Sequence, residues 1–432
     1  MKKVLIISYY WPPGTGAGVF RWLKFCKYLR SHGWEPAVYT PLNPEAQGRD
    51  TSLEKDIPKG MTVIKKPIRE PYALYKLLTG RSQKERIQSG FLNEQRNPGK
   101  ADRIAAWIRG NYFIPDARKF WIRPSVRFLS KWLSHNKMDA MVSTGPPHSM
   151  HMIAMGLKEK LGLPWLADFR DPWTGIDFYD KLMPGERADR KHRQMEQGVL
   201  SLADKVVAVS HGMASELEGI CHRKVEVVSN GFDPDDFRDL PEPDPHEFCI
   251  THLGSMNADR NPLVVWETLS HLVSEDPFFS EYLQVRLIGK TDFSVQESIK
   301  QNGIMHLVDF IPCMPHQKAL QKAASSAILL LPVNNTPNAR SITTGKLFDY
   351  LALQRPVLCI GPPTGDAASI IKETRSGTTI DFYDRHACRN FLLKSAERFK
   401  KNQSKPLKQS FGQFDRKKLT GRMAGLLNDM CR

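Results

Sequence analysis

The sequence lacks the features that would place it among membrane-spanning, secreted or zinc-binding proteins. None of its apolar runs approaches the roughly 18 residues of a transmembrane helix. Its seven cysteines are scattered, odd in number and without a C-x-x-C pair, which argues for free thiols in a reducing compartment. The start MKKVLIISYYWPPG has no small-residue cleavage site, so it predicts a buried strand rather than a signal peptide. We therefore expect a cytoplasmic protein.

Two common phosphate-binding motifs are incomplete. The first glycine-rich turn reads G-x-G-x-G over residues 14–18, but Val19 occupies the place of the third glycine of the dinucleotide fingerprint. The second predicted strand also ends without an acid that could hold a ribose. At Gly345-Lys346 a Walker A loop is excluded, because Leu347 stands where magnesium ligation needs Ser or Thr. These absences argue against a redox enzyme and against a P-loop NTPase.

Acidic residues are few relative to basic ones, and the imbalance is local. The chain carries a net charge of +16, and residues 65–135 alone hold 16 Lys and Arg but 5 Asp and Glu, with large aromatic residues among them. Such a stretch can bind nucleic acid or an anionic membrane, or form a plain solvated surface over a core. No nucleic-acid-binding motif accompanies it. We expect membrane contact first, a plain surface second and no nucleic acid as partner.

What the chain does contain is a repeated alternation of short buried strands with amphipathic helices. Its 432 residues suggest two domains of about 200 residues each. Two successive runs of alternation predict an α/β protein with two doubly wound sheets. We place an N-terminal Rossmann-like domain at 1–232 with a basic aromatic insertion at about 65–135, a Pro- and Asp-rich linker at 233–246, and a C-terminal Rossmann-like domain at 247–400. A basic helical segment at 401–432 could cross back to the first domain.

The stretch at residues 327–363 reads as strand, loop, helix and strand. Thr343 or Thr344 can cap the helix, which places Gly345 and Lys346 at its start. Unpaired backbone N–H groups, the positive end of the helix dipole and a lysine together favour a phosphate. Asp349, one turn deeper, could accept hydrogen bonds from sugar hydroxyls. The alternative is an ordinary helix start with a solvated lysine and a first-turn acid.

Polar residues in the first half follow two predicted strands. His148 and His151 come after the strand at 140–143, at the edge where open α/β sheets place ligands. As metal ligands the pair lacks a third partner, so we expect no metal site. Farther along, Asp168, Arg170 and Asp171 follow the next strand, either as the lip of an active site or as an internal salt bridge. The turn at Asp171-Pro172 favours a site role.

Several segments, taken in their order and spacing, resemble glycosyltransferase family 4. The matching segments are PPGTGAG, VVSNGFD, HLGSMNADRNP, TGKLFDYLALQRPVL and GPPTGD, while PDARKFW, STGPPHS and ADFRDPW resemble its bacterial branch that makes envelope and extracellular polysaccharides. The resemblance covers nearly the whole chain. It implies the GT-B fold, in which two Rossmann-like domains face each other across a central cleft.

The resemblance also implies a chemistry. The family transfers a sugar from a nucleotide diphosphate donor with retention of configuration, without a cofactor or bound metal, here to a lipid-linked or polysaccharide acceptor. Arg260 and Lys346 match the basic pair that neutralises the leaving diphosphate, and Asp349 matches the second acid of the E-x7-E motif. Ser341 stands in place of the first acid. The remaining matches are donor-binding positions, namely Ser255 (where Arg is commoner), Thr344, Gly345, Gly16 and Gly18.

His148 or Asp171 would orient the acceptor or stabilise the sugar cation, and the resemblance does not choose between them. With the basic segment, it suggests a peripheral protein at the inner face of the cell membrane. Two alternatives stay open. One is a nucleotide-sugar epimerase of the same fold. The other, suggested by Ser341, is a degenerate protein that binds a nucleotide sugar without turning it over.

Overall fold

A computed structural model describes residues 1–45, 48–68, 70, 99–401 and 411–432. In these ranges the chain forms two compact units. The first takes the described parts of 1–230 together with Arg416–Arg432, and the second takes Gly231–Asp415 without its undescribed residues. Much of the basic aromatic insertion, at 69 and 71–98, lies outside the described residues, as does 402–410 of the C-terminal segment.

The first unit is built on a parallel sheet of seven described strands. The strands are β1 Lys2–Ile7, β2 Trp34–Pro41, β3 Thr62–Lys66, β4 Ala140–Gly145, β5 Trp165–Phe169, β6 Lys205–Ala208 and β7 Glu226–Val227, in the order β3-β2-β1-β4-β5-β6-β7. The helices are α1 Ala17–Leu29, α2 Lys100–Tyr112, α3 Lys119–Leu133, α4 Ser149–Leu161, α5 Glu186–Leu202 and α6 His211–Cys221.

Strand β1 shows why this sheet is covered on both faces. Val4 and Ile6 point into one apolar layer, which includes Trp22 and Leu23 of α1, while Leu5 and Ile7 point into the opposite layer. All four are fully buried. Because successive side chains of a strand alternate between faces, an uninterrupted apolar run requires a helix layer on each side. Each buried side chain of this size contributes about 1.5–3 kcal/mol to folding.

The second unit repeats the plan after the boundary at residue 231. Its strands are β8 Phe248–Leu253, β9 Leu283–Ile288, β10 Val308–Ile311, β11 Ile328–Pro332, β12 Val357–Ile360 and β13 Gly377–Ile380, in the order β10-β9-β8-β11-β12-β13 and all parallel. The helices are α7 Leu263–Glu275, α8 Pro277–Tyr282, α9 Phe293–Gln301, α10 His316–Ala324, α11 Gly345–Leu353, α12 Asp366–Thr374 and α13 Arg385–Lys400.

The last helix, α14 Arg416–Met430, belongs to the first unit. Its Leu419, Met423 and Leu427 are buried in the layer that also contains α1. The prediction of two doubly wound α/β sheets is confirmed. In the described ranges no helix is both long and apolar enough to span a bilayer.

Candidate active site

The strand order of the second sheet reverses between β8 and β11, and the pairing between these two strands ends early. The described pairing joins Ile328 to Ile250 and Leu329 to Thr251, and then stops. Beyond it the hydroxyl of Tyr350, from α11, bridges the two strands. It accepts a hydrogen bond from the Leu253 N–H at 2.9 Å and donates to the Leu330 carbonyl at 3.2 Å. Open α/β sheets bind ligands at such a reversal, beyond the carboxyl ends of the strands.

Two glycines shape the loop that leaves β8. Gly254 has a φ of 85°, and a Cβ placed on it would lie 2.9 Å from Cε of Lys346. Gly289, after β9, has a φ of 134°, and its Cβ would lie 2.7 Å from the carbonyl carbon of Gly254. Positive φ and the lack of space both favour glycine. The Lys346 side chain therefore crosses the loop at Gly254, where a residue with a side chain would block its path.

Two cationic side chains meet on one backbone carbonyl. Lys346 Nζ donates to the Ser255 carbonyl at 3.1 Å, and Arg260 Nη1 donates to the same oxygen at 3.2 Å. Arg260 Nε also donates to Asn334 Oδ1 at 2.8 Å, which fixes the plane of the guanidinium. Burial and the charge of Arg260 hold the pKa of Lys346 well below its usual range. Two like charges held this close favour binding of an anion, which would relieve their repulsion.

A buried histidine stands behind the lysine. His252 lies on β8 and is 1% exposed, and its Nε2 is 3.0 Å from Lys346 Nζ. Its Nδ1 is 2.9 Å from the Leu330 carbonyl, which can only accept, so Nδ1 carries the proton. Burial and the charge of Lys346 hold the pKa of His252 well below its usual range, so the ring is neutral. Nε2 therefore accepts a hydrogen bond from Lys346.

The start of α11 lies next to these cations in sequence and presents polar groups of its own. Thr344 is the N-cap residue with extended backbone, but its side chain makes no capping hydrogen bond. Both Thr343 Oγ1 and Thr344 Oγ1 are buried without a partner in the described residues. A Cβ on Gly345 would meet open space. Free backbone N–H groups and two unsatisfied hydroxyls suit an oxyanion, as expected for a helix start that binds phosphate.

Asp349 and Ser341 flank this helix start on the chain. Asp349 is half-buried, and its Oδ2 is 3.3 Å from His316 Nε2 of α10. Ser341 ends a short 3-10 turn, where its N–H donates to the Asn338 carbonyl. Asp349 thus has a protein partner on the side of α10, which orients the carboxylate.

The first sheet reverses its strand order between β1 and β4. Gly16, the N-cap of α1, has a φ of 114°, and a Cβ on Gly18 would lie 2.4 Å from Nη1 of Arg170. The Arg170 guanidinium donates to the Pro146 carbonyl and lies over the ring of Tyr10 at 5.5 Å. Arg170 thus joins the glycine-rich turn to the loop after β4.

Two buried imidazoles follow β4. His148 stacks on Trp173 with ring centroids 4.6 Å apart, and His151 stacks on Phe169 at 4.4 Å. Burial lowers the pKa of His148 well below its usual range and lowers that of His151 to about 3. His148 Nδ1 and His151 Nε2 have no partner in the described part of the chain. A Cβ on Gly145 would lie within 3.1 Å of both nitrogens, so the two rings close over that glycine.

Asp168 is the centre of a buried polar network rather than part of an exposed lip. It accepts two-pronged hydrogen bonds from Arg21 of α1, with the closest contact at 2.8 Å, and further bonds from Trp22 Nε1 at 2.7 Å and Thr144 Oγ1 at 2.9 Å. Despite complete burial, which opposes the charge, Arg21 and these donors hold the pKa of Asp168 below its usual value. Of the two sequence interpretations, the internal salt bridge applies to Asp168.

The loop that follows, with Asp171 exposed at its start, is held from α5. Trp173 Nε1 donates to His192 Nδ1 at 3.0 Å, and Thr174 Oγ1 donates to Glu196 Oε2 at 2.5 Å. Burial raises the pKa of Glu196, with Thr174 opposing the shift. These anchors fix the loop.

Comparison with known proteins identifies the family. The model of Glycosyltransferase Family 4 matches residues 19–236, half of the chain. The chain belongs to glycosyltransferase family 4. No curated protein matches the sequence.

Solved structures give the fold. Sucrose-phosphate synthase from Thermosynechococcus elongatus is 12% identical with a TM-score of 0.63, and each chain covers 99% of the other. WaaG, a glycosyltransferase involved in lipopolysaccharide biosynthesis, is 13% identical with a TM-score of 0.58, over 98% of this chain and 99% of that one. A putative UDP-N-acetylglucosamine 2-epimerase from Listeria monocytogenes is 10% identical with a TM-score of 0.57, over 99% and 96%. The protein is a glycosyltransferase with the GT-B fold.

Within this glycosyltransferase the site residues that the sequence predicts fall into two sets. Ser255, Arg260 and Lys346 come together in the second unit through one carbonyl, and Lys346 belongs to the helix that Thr344 caps. The other set lies in the first unit and consists of Gly16, Gly18, His148 and Asp171. Asp349, also in the second unit, contacts His316. Their roles in the reaction stay predictions.

Four side chains that build these sites were not predicted from the sequence. His252 holds Lys346, and Tyr350 bridges β8 and β11 where their pairing ends. Asn334 holds Arg260, and Arg21 neutralises Asp168. The signal that could have found the buried members is a polar residue inside an apolar pattern. His252 shows this signal within β8, whereas Arg21 does not, because it lies off the apolar stripe of α1.

Proposed function

We propose that this glycosyltransferase transfers a sugar from a nucleoside diphosphate donor to a lipid-linked or polysaccharide acceptor, with retention at the anomeric carbon and without a metal. The observation that carries the proposal is the pair of cations, Lys346 and Arg260, which share the Ser255 carbonyl at 3.1 and 3.2 Å. A leaving diphosphate gains negative charge in the transition state, and fixed positive groups stabilise it.

The donor diphosphate binds to the second unit in this proposal. Lys346 and Arg260 meet its charge, while the hydroxyls of Thr343 and Thr344 and the first N–H groups of α11 donate to its oxygens. Asp349 accepts hydrogen bonds from the ribose, and His316 fixes its orientation. The two cations and the helix start provide the charge stabilisation that a divalent cation provides in other transferases.

Retention without a protein nucleophile requires the acceptor hydroxyl to attack from the side of the departing phosphate. The phosphate then takes the hydroxyl proton, and the enzyme supplies position and charge rather than a covalent intermediate. Asp171 or His148 orients the acceptor or stabilises the sugar cation. The exposure of Asp171 favours it for direct contact, because His148 is 7% exposed and its ring is covered by Trp173.

Envelope or extracellular polysaccharide synthesis is the process we propose. The segments STGPPHS and ADFRDPW resemble the bacterial branch of the family that makes such polymers. The similarity to WaaG, whose reaction belongs to lipopolysaccharide biosynthesis, supports the same assignment. A lipid-linked acceptor of this kind would place the enzyme next to a membrane.

An exposed aromatic and basic surface supports binding to an anionic membrane face. Ile104, Trp107, Tyr112 and Phe120 on or next to α2 and α3 are 60%, 43%, 61% and 56% exposed. The ring of Trp107 contacts that of Tyr112 at 5.7 Å, and Lys119 Nζ lies 5.1 Å from the ring of Phe120 and donates to the Tyr112 carbonyl, so the surface is continuous. Interfacial aromatics with cations suit the headgroup region of an anionic bilayer.

The proposed activity is tested by incubating the purified protein with candidate nucleotide sugars and measuring released nucleoside diphosphate, with and without membrane extract. Release that depends on the extract supports transfer. An isomerised donor without release supports the epimerase, which the similarity to the Listeria monocytogenes protein keeps as the second candidate. Binding with neither outcome supports a degenerate protein. Lys346→Ala should abolish release, whereas Lys372→Ala, an exposed lysine of α12, should not.

The membrane part is tested separately with vesicles of phosphatidylglycerol and phosphatidylcholine. Trp107→Ser combined with Lys119→Glu should reduce sedimentation with the anionic vesicles, and raised salt should reduce that of the wild type. Tyr383→Ser combined with Lys372→Glu alters a still more exposed aromatic and a lysine in the second unit, and should bind like the wild type. Wild-type protein that stays unbound at low salt would exclude the membrane role.

A further inference from the structure

The ammonium group of Lys346 is held at two of its three N–H positions. One N–H goes to His252 Nε2 at 3.0 Å and another to the Ser255 carbonyl at 3.1 Å. No further partner of this nitrogen occurs in the part of the chain that the structure describes. With two of the three directions of a tetrahedral nitrogen fixed, the third is fixed as well. The free N–H therefore has one orientation before any ligand arrives.

The identity of the second anchor matters because a lysine is usually held by a carboxylate. A carboxylate would fix the ammonium equally well, but it would also neutralise its charge. His252 is a neutral acceptor, since its Nδ1 proton is committed to the Leu330 carbonyl. It directs the ammonium and adds no negative charge that would oppose the binding of an anion.

The surroundings of His252 support a neutral ring. The charged and titratable groups that face it are Lys346 and Arg260, both cationic, and Tyr350, whose hydroxyl shares the Leu330 carbonyl. A proton added to Nε2 would face the ammonium directly and would remove its acceptor. Burial and the two cations outweigh the backbone groups of Leu330 and Ser255, which favour a charged ring, so the pKa of His252 stays low and the ring keeps the form that the lysine needs.

We propose that His252 is a positioning residue that holds Lys346 toward the donor diphosphate without neutralising it. This inference rests on the proposed function, because it assigns the diphosphate as the anion that Lys346 meets. His252 does not touch the donor. Its effect on the reaction runs through the orientation and charge of Lys346.

The first test compares substitutions of His252 that separate the loss of the hydrogen-bond acceptor from a change of charge beside Lys346. The probe is inorganic pyrophosphate, and its Kd is measured by calorimetry on the full-length protein. His252→Gln places a neutral amide oxygen near Nε2, so we expect a Kd within about threefold of the wild type. His252→Glu keeps nearly the same shape but adds a negative charge beside Lys346, and His252→Leu removes the acceptor. For both we expect a Kd raised at least about tenfold, the size of a lost charge-assisted hydrogen bond.

A control separates this effect from damage to β8. Thr251→Val removes a buried hydrogen bond of the neighbouring residue, 2.6 Å to Ser326 Oγ, on the other face of the strand. It should lower thermal stability and leave the pyrophosphate Kd unchanged. Equal pyrophosphate affinity of His252→Leu, His252→Glu and the wild type would refute the positioning role. Absence of binding to the wild type would overturn the proposed donor site as well, so the two failures are distinguishable.

A second test needs no substitution that alters folding. Nitrogen-15 NMR of imidazole rings distinguishes a protonated from a bare ring nitrogen. For His252 we expect a proton on Nδ1 and none on Nε2 at neutral pH, with the spectrum assigned from the loss of its signals in His252→Gln. A proton on Nε2 would contradict the proposal, because that nitrogen could no longer accept from Lys346.

Discussion

Gly254→Ala is the change that most directly tests whether the position of Lys346 matters. The residue has a φ of 85°, and the added Cβ would lie 2.9 Å from Cε and 3.3 Å from Nζ of Lys346. Two effects follow from one methyl group. The left-handed backbone costs a residue with a Cβ roughly 1–2 kcal/mol. The contact with Lys346 adds little energy, because the end of a lysine side chain can move away, but that movement takes the ammonium from its anchors.

Gly303→Ala separates the two effects. Gly303 follows α9 in the same unit with a φ of 72°, and a Cβ there would meet nothing within 4 Å. The Gly303→Ala variant therefore loses only the free energy that a left-handed backbone costs a residue with a Cβ. Both variants should lose about 1–2 kcal/mol, which corresponds to a fall in Tm of roughly 2–8 °C for a domain of this size.

The binding of inorganic pyrophosphate should differ between the two variants. Gly303→Ala should bind like the wild type. Gly254→Ala should bind roughly ten- to a hundredfold more weakly, because a hydrogen bond to a charged group contributes about 1.5–3 kcal/mol. Calorimetry at a temperature where both variants are folded measures the difference. Equal affinity in the two variants would refute the argument that the observed position of Lys346 is the one that binds the anion.

Three further changes test other features of the structure. Thr344→Val replaces a buried hydroxyl that has no partner in the described residues, so we expect a higher Tm of the ligand-free protein together with weaker pyrophosphate binding. Asp168→Asn leaves Arg21 uncompensated in the core and should cost about 3–5 kcal/mol in urea unfolding, whereas Asp429→Asn, at the exposed partner of Arg432, should cost less than about 1 kcal/mol. The pKa of His151 is lowered to about 3 in the folded protein, so between pH 6.5 and 3 the unfolded chain binds more protons than the folded one. The free energy of unfolding should therefore decrease as the pH is lowered, by at most about 1.4 kcal/mol per pH unit from this group. His151→Asn should flatten that dependence in urea titrations at pH 7 and pH 5.

The order of strands and helices could be predicted because each strand is a short apolar run covered on both faces. The stretch at Ile328–Pro332 is an example, since its alternate residues fill two different apolar layers. The ends of the elements were less predictable. β2 begins at Trp34, because Trp34 pairs with Lys2 across the ladder, a contact that the local pattern does not contain.

The site could be predicted only where its residues share a segment. Gly345 and Lys346 stand together at a helix start, so their chemistry was visible in the sequence. The partner of Lys346 was not, because His252 is 94 residues away and its role depends on which carbonyl its other nitrogen meets. Asp168 shows the same limit, since nothing near it in the chain indicates that Arg21 neutralises it.

Three glycines near the candidate sites offer a more local signal, because the space that each leaves is filled by identifiable side chains. Gly254 makes room for Lys346, Gly18 for Arg170, and Gly145 for the two imidazoles after β4. In all three cases the occupants include a cation or an imidazole, with the Tyr10 ring beside Arg170 at Gly18. Gly254 has a φ in the left-handed region, whereas Gly18 and Gly145 do not. At those two positions glycine is therefore required by space rather than by backbone conformation. Gly289 and Gly361, which also follow strands, lie against the Gly254 backbone and the Val333 side chain, so a glycine at such a position marks a close contact and does not by itself indicate a functional group.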